Sequence, residues 1–295
     1  MLELVKLRKE FNEVKALNGI DFRYDRRGIL TMIGQNGAGK TTLLRILSCQ
    51  LLPTDGRAYL LGMDVVKDYE KLRNVISMLP QDIRPFSYTL TPRDYIFSYL
   101  LMRGYSIGDA RRRTSIMLNE MELREVADTQ IIRLSGGTAK RVFVAMALSV
   151  EDADVYLLDE PTAGLDARSK HIFWEMVRKI VSEGKSAIIA SHFLEETSKN
   201  SDYIMVLRKG SLMAHNTPEK LVESVFGGMK RKIIVRNVDL SCISDIEHRK
   251  CVIGDSCYIY SDKIDYILDK LVSNNISAEV RPIELEDVVI VGEFS

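Results

Sequence analysis

The chain has 295 residues, enough for a full α/β core and a small appendage. Hydrophobic residues make up 46% and charged residues 28%, which is ordinary for a soluble globular protein. Lysine plus arginine equals aspartate plus glutamate at 41 each, so no overall basic field points to nucleic acid as a partner. No apolar run approaches the ~18 residues of a membrane-spanning helix. "VFVAMALSV" (142–150) is among the longest, and a chain that does not itself cross a membrane is expected. The start, "MLELVKLRKEF", mixes charge with apolar residues, unlike a signal peptide. Cys49, Cys242, Cys251 and Cys257 form no CxxC pair and read as reduced thiols of a cytosolic protein rather than metal ligands.

In chain order, "GILTMIG" (28–34) is a buried-strand run ending in glycine, and "KTTLLRILSC" (40–49) follows with helical spacing. "RAYLLGM" and "NVISMLP" read as short strands. A mostly helical segment then runs from about 86 to 150. It opens with Thr91 as N-cap, Pro92 at the first helical position and Asp94 in the first turn. It continues through "DARRRTSIMLNEMEL" to the helix that follows "LSGG" (134–137). Strands return at "DVYLLDE" (154–160) and "SAIIAS" (186–191), separated by the amphipathic "ARSKHIFWEMVRKIVSEG" with Gly184 as its stop. "DYIMVLRKGSLMAHN" is a hairpin turning at Lys209-Gly210, and "TPEKLVESVF" repeats the Thr-Pro helix start.

"GGMK" (227–230) marks a boundary, giving domains 1–226 and 227–295. In the second, "KIIVR" is a strand, "LSCISDIE" a short helix, and "KCVIG" and "CYIYS" a hairpin across Gly254-Asp255. Ile264, Ile267, Leu268, Leu271 and Val272 stripe one helix face, and "ISAEVR" is a strand. The order βαββαβ predicts a small split-βαβ, α+β domain.

Two stretches carry phosphate chemistry. "GQNGAGKTT" (34–42) fits G-x-x-x-x-G-K-[ST] between a buried strand and a helix. Its glycines let backbone N–H groups wrap phosphates, Lys40 adds a charge at the β/γ-phosphates, and Thr41 can hold Mg²⁺. "VYLLDE" (155–160) delivers Asp159 to a strand tip, where a Mg²⁺-coordinating acid belongs in a parallel sheet, with Glu160 beside it to accept a proton from water. Ser135, Gly136 and Gly137 open a second helix and form another anion site, with Thr138 directly after it.

"GQNGAGKTT", "LPQD", "LSGG", "VYLLDEPTAGLD" and "ASH", in this order, resemble the nucleotide-binding subunit of ATP-binding cassette (ABC) transporters over residues 1 to about 225. The resemblance implies an α/β fold: a P-loop NTPase core with an inserted helical subdomain, followed here by the small C-terminal α+β domain. Gly34, Asn36, Gly37, Ala38, Gly39, Lys40, Thr41 and Thr42 fall on the Walker A loop, and Asp159 and Glu160 on Walker B. Gln81 matches the glutamine that senses Mg²⁺ and the membrane partner, Ser135, Gly136 and Gly137 the signature motif, and Asp166 the D-loop. His192 matches the switch histidine, and Phe11 the aromatic that stacks on adenine.

That family reading implies ATP and Mg²⁺ as cofactors, an ATP-dependent dimer with shared sites, and Glu160, His192 and Lys40 as the catalytic set. It also implies a separate transmembrane subunit and a peripheral place on the cytoplasmic face of the membrane. "IRPFSYTLTPRDYIFSYLL" (83–101) is the expected docking surface for that subunit. "VRPIELEDVVIVG" (280–292) resembles the ending of cassettes serving drug, lipid and polysaccharide exporters, and favours export. Exporter-type cassettes often vary the position of Thr138 and keep an arginine where Arg141 stands. The alternative is a soluble ATPase of the same family acting on the ribosome or an assembly complex.

Overall fold

The computed structural model describes residues 1–83, 85, 87–236, 241–244, 246 and 248–293. The chain divides into two compact units, one of residues 1–192 and 200–215, the other of residues 193–199 and 216–295.

The first unit opens with two long strands absent from the sequence reading, β1 (Leu2–Phe11) and β2 (Val14–Tyr24), paired antiparallel. Register shifts between Leu4 and Leu7 and between Lys9 and Glu10 break the period-two alternation by which a half-buried strand is recognised. Next come β3 (Ile29–Ile33), with all five residues buried, and α1 (Lys40–Leu47). They are followed by β4 (Asp55–Leu60), β5 (Met63–Asp64), α2 (Tyr69–Val75) and β6 (Ile76–Leu79).

The expected helical segment follows as α3 (Pro92–Met102), α4 (Ile107–Glu120) and α5 (Gly136–Leu148). Thr91 and Asp94 form a full capping box: the Asp94 N–H donates to Thr91 Oγ1 at 3.2 Å and the Thr91 N–H to Asp94 Oδ2 at 3.0 Å. The unit is completed by β7 (Val155–Asp159), α6 (Ala167–Ser182) and β8 (Ser186–Ser191). Beyond α7 (Leu194–Asn200) lie β9 (Tyr203–Arg208) and β10 (Ser211–Asn216).

The strands make a four-stranded sheet in the order β2-β1-β4-β5 and a six-stranded sheet in the order β10-β9-β3-β8-β7-β6. From β9 to β6 the larger sheet is parallel, and β3, β7 and β8 are buried throughout, as strands covered on both faces must be. Alternation along β7 splits its side chains between two cores. Tyr156 and Leu158 pack with α3 to α6, and Val155 and Leu157 pack with α1 and the smaller sheet. Asp159 shares the parity of Val155 and Leu157, which puts it on the α1 side. Fully buried Phe173, on α6, contributes about 1.5–3 kcal/mol to the first core.

The second unit contains α7, α8 (Pro218–Phe226), β11 (Arg231–Arg236), β12 (Arg249–Ile253), β13 (Ser256–Tyr260), α9 (Ile264–Ser273), β14 (Ala278–Pro282) and α10 (Leu285–Glu293). Its division begins before the expected boundary at 226/227, because α8 packs on α10. The antiparallel order β12-β13-β11-β14 is that of a split-βαβ sheet. Ile264, Ile267 and Leu271 of α9 pack on Ile233, Val235 and Ile259. The short helix expected at 240–247 is a 3₁₀ turn at Ser241–Ile243; Leu240, Asp245 and Glu247 lie outside the described residues. The helix α10 was not predicted.

Candidate active site

Register builds the site. Ile33 pairs with Ser191 and Asp159 with Ala190, so β3, β8 and β7 end level with one another. The loop after β3, the two acids ending β7 and His192 after β8 therefore emerge side by side. The carboxyl ends of parallel strands are where an open α/β sheet binds ligands.

Two glycines of the loop are dictated by close approach. Gly39 caps α1 at φ +104, and a Cβ there would stand 2.5 Å from the Ala16 carbonyl oxygen. At Gly34 a Cβ would meet the Leu207 carbonyl oxygen at 2.2 Å. Any larger residue at either position would force strands β2 or β9 away from the loop. Helix α1 starts at Lys40, so its first backbone N–H groups lack intrahelical partners and are free for an anion.

The Lys40 side chain is 6% exposed; its Nζ donates to the carbonyls of Gly34 at 2.6 Å and Gln35 at 3.3 Å and lies 4.0 Å from Glu160 Oε1. Burial pushes the Lys40 pKa down, and the nearby Glu160 and Asp159 oppose that. A cavity of about 540 Å³ lies over this loop. Asn36, Gly37, Ala38, Gly39, Lys40, Thr41 and Thr42 line it, together with Gln81 and Glu160. Phe11 lines it too, 45% exposed, with Lys9 Nζ 5.0 Å from its ring centroid.

Asp159 is 1% exposed, and both of its carboxylate oxygens lack a hydrogen-bond partner. Thr41 lies close enough to favour the ionised form, but its hydroxyl makes its bond to Gln81 Oε1 at 3.4 Å. Burial dominates and raises the Asp159 pKa, with Glu160 adding to the rise. A buried, unpartnered carboxylate beside Thr41 and Gln81 fits the oxygen donor set that Mg²⁺ takes.

Glu160 follows in the left-handed region at φ +48, which a non-glycine residue holds only when its surroundings impose it. Its backbone N–H donates to Ala190 O at 2.9 Å, and its side chain is 6% exposed. Glu160 Oε2 lies 2.8 Å from His192 Nδ1.

The signature residues lie outside the loop cavity, but Gly136 and Gly137 line an adjoining one with Asn36, Gln81, Glu160 and His192. Ser135 caps α5, accepting from the Thr138 N–H at 3.2 Å, and its hydroxyl lies 2.9 Å from Thr138 Oγ1. Thr138 thus completes the cap rather than disrupting it. Gly136 and Gly137 form the first turn, and a Cβ on Gly137 would come within 3.0 Å of the Gly164 carbonyl. Neither glycine nor Ser135 lines the cavity over the phosphate loop. Asp166 is exposed, outside that cavity, and caps α6 by accepting from the Ser169 N–H at 2.8 Å, a bond that lowers its pKa. The phosphate loop, Gln81, the paired acids and His192 therefore converge, while Ser135 and Asp166 serve as helix caps and do not line the loop cavity.

Sequence reasoning missed Val14, Lys15, Ala16 and Lys209, all of which line the cavity over the phosphate loop. They come from β2 and the β9–β10 turn, neither of which carries a motif. The available signal was indirect: Gly39 must approach a neighbouring backbone, which proves to be that of Ala16. In the expected docking segment, Arg84 and Phe86 lie outside the described residues. Tyr95, Ile96 and Leu100 are core, and Tyr88 is 56% exposed.

Residues 17–163 match the family described as "ABC transporter". A "Nod factor export ATP-binding protein I" of Burkholderia orbicola is 33% identical, over 77% of this chain and 74% of that one. A protein of the same name from Cupriavidus pinatubonensis is 29% identical over 98% of this chain and 90% of that one. Among solved structures, cbiO1 of Clostridium perfringens, part of an ABC transporter complex, is 26% identical with a TM-score of 0.65, covering 77% of this chain and 90% of that one. A dimeric ATP-binding cassette in a post-hydrolysis state, bound to ADP and Pi, shares the fold at 24% identity and a TM-score of 0.66, over 74% of this chain and 98% of that one. The phosphate loop, the paired acids and the histidine at the carboxyl ends of neighbouring strands, with these likenesses, mean that the chain belongs to the ABC transporter family as an ATP-binding, ATP-hydrolysing subunit.

Proposed function

We propose that two copies of this chain enclose two ATP molecules, each bound by one chain's phosphate loop and the other chain's Ser135, Gly136 and Gly137. The observation that carries this is the position of those three residues at a helix N-terminus: none lines the cavity over their own chain's phosphate loop, and Gly136 and Gly137 line the adjoining cavity beside Glu160 and His192. Phe11 stacks on adenine, and the loop N–H groups with Lys40 hold the phosphates. Thr41, Gln81 and Asp159 hold Mg²⁺, which when bound offsets phosphate charge. Glu160 takes a proton from the attacking water, and His192 holds the Glu160 carboxylate and faces the γ-phosphate.

The dimer powers a separate transmembrane subunit from the cytoplasmic face of the membrane. Among the described residues no helix is long and apolar enough to cross a membrane. Export is supported by relatives whose names specify export and by the ending at 280–292. The exposed Tyr88 and Ile132, whose N–H donates to Tyr88 O at 3.4 Å, form the docking patch for that subunit.

Shared sites are tested by mixing inactive Lys40→Ala chains with inactive Gly137→Asp chains. Mixed dimers would hold one undamaged site and recover activity at up to about half of the wild-type rate per mixed dimer if the two sites fire independently. Mixtures that form dimers with ATP yet recover no turnover would count against sharing. Crosslinks from position 88 to a co-expressed membrane subunit test docking, and their absence alongside crosslinks from elsewhere on the chain would dismiss the patch.

A further inference from the structure

Lys140, on the signature helix α5, belongs to none of the roles above. Its Nζ donates to the backbone carbonyl of Gln81 at 3.4 Å. The Gln81 side chain accepts from Thr41 Oγ1, also at 3.4 Å. Gln81 is thus contacted from two sides, by α1 through its side chain and by α5 through its carbonyl. Both bonds are long, so each is sensitive to small movements of its helix.

The surroundings explain why a cation stands there. A second cavity, of about 490 Å³, is lined by Gln81, Asp82, Lys140, Glu160 and His192 among others. Its lining includes two acids, and Lys140 is the one lysine or arginine among the described residues that form it. The acids are Asp82 and Glu160. Burial disfavours the charged ammonium, while Asp159, Glu160 and Asp82 favour it. A neutral side chain would avoid the desolvation but leave these carboxylates without an opposing charge on the α5 side.

We propose that Lys140 is a positioning residue that couples the signature helix to Gln81 of its own chain, so that α5 sets the place of Gln81 during hydrolysis. This rests on the roles proposed above for Gln81 and Glu160. Because α5 also presents Ser135, Gly136 and Gly137 at its start, engagement of that helix by a second chain's nucleotide is transmitted through Lys140 to the cis site.

The test uses the full chain with Lys140→Met and Lys140→Gln, two neutral variants, and Lys140→Arg, which keeps the charge. The neutral variants should lower kcat about tenfold and leave KM for ATP within about twofold, and Lys140→Arg should restore kcat to within about threefold. Independently of activity, hydrogen exchange at the amides around Gln81 should speed up in the folded neutral variants and not in Lys140→Arg. Wild-type kcat in both neutral variants, or an Arg variant as impaired as they are, would overturn the proposal.

A Gln81→Ala companion separates the layers. Non-additive losses in the double variant support the coupling, and fully additive losses refute it. Gln81→Ala with wild-type turnover and Mg²⁺ requirement would remove the role given to Gln81, while the exchange measurement would still decide whether Lys140 holds that segment.

Discussion

Glu160 Oε2 and His192 Nδ1 stand 2.8 Å apart, joining the end of β7 to the end of β8. The tautomer with its proton on Nδ1 donates to the carboxylate and fixes its direction. The acid is 6% exposed and the histidine 46%, so one end of the pair is sealed in the fold and the other faces the open side.

Glu160→Gln keeps the shape of that pair and removes the proposed base. Single-turnover hydrolysis should fall about 10²- to 10⁴-fold. ATP affinity should be retained, and dimers should accumulate with ATP in size-exclusion runs. Normal turnover in this variant would remove Glu160 from the mechanism.

Asp159 is raised in pKa by burial, which means that its ionised form is the costly one in the fold. That cost is present above the folded pKa and disappears as pH falls through it, the reverse of a salt-bridged acid. Asp159→Asn should therefore stabilise the nucleotide-free, Mg²⁺-free protein at neutral pH, by about 1–3 kcal/mol. It should also abolish the thermal shift that Mg²⁺ adds to ATP. A lower melting temperature without ligand would show that the carboxylate has a partner in solution.

Phe11→Ala should raise KM for ATP about 5- to 150-fold, the equivalent of the 1–3 kcal/mol typical of one aromatic–base stack, with kcat nearly kept. Phe11→Tyr should behave as wild type. An unchanged KM in the alanine variant would return Phe11 to the status of a half-exposed strand end.

Asp287, within the "LED" of the chain ending, is fully buried and receives both Lys232 Nζ, at 2.8 Å to each oxygen, and Tyr260 OH at 2.7 Å. Together with the Glu284 N–H, at 2.7 Å, these bonds staple α10 to the C-terminal sheet. Asp287→Ala should destabilise that unit by about 3–5 kcal/mol, because it strands a buried ammonium. The double variant Lys232→Met with Asp287→Leu should recover much of the loss. Differential unfolding monitored by hydrogen exchange would show it, and a neutral Asp287→Ala would mean that the pair is solvated.

Local chemistry was enough to read most elements. The capping pair Thr91 and Asp94, the glycine stop at Gly184 and the apolar runs at 29–33 and 155–159 each act within a few residues of chain, so their spacing exposes them. The nucleotide loop and the paired acids were legible for the same reason: phosphate wrapping needs consecutive backbone N–H groups, which makes the motif contiguous. The strands β1 and β2 were not, because bulges interrupt their alternation, and α10 was not, because it is held by the long-range contact of buried Asp287 with Lys232.

By itself the sequence determined which groups are available for ATP chemistry and where each lies along the chain. Only the tertiary structure decided which of them meet. Parallel register levels Ile33, Asp159 and Ser191, and so brings Lys40, Glu160 and His192 together from positions far apart in the chain. It also left Ser135 and Asp166 as helix caps that do not line their own chain's loop cavity. It placed Lys140 against the Gln81 carbonyl, a contact between distant segments that no local pattern encodes, since it depends on how a helix packs against a sheet.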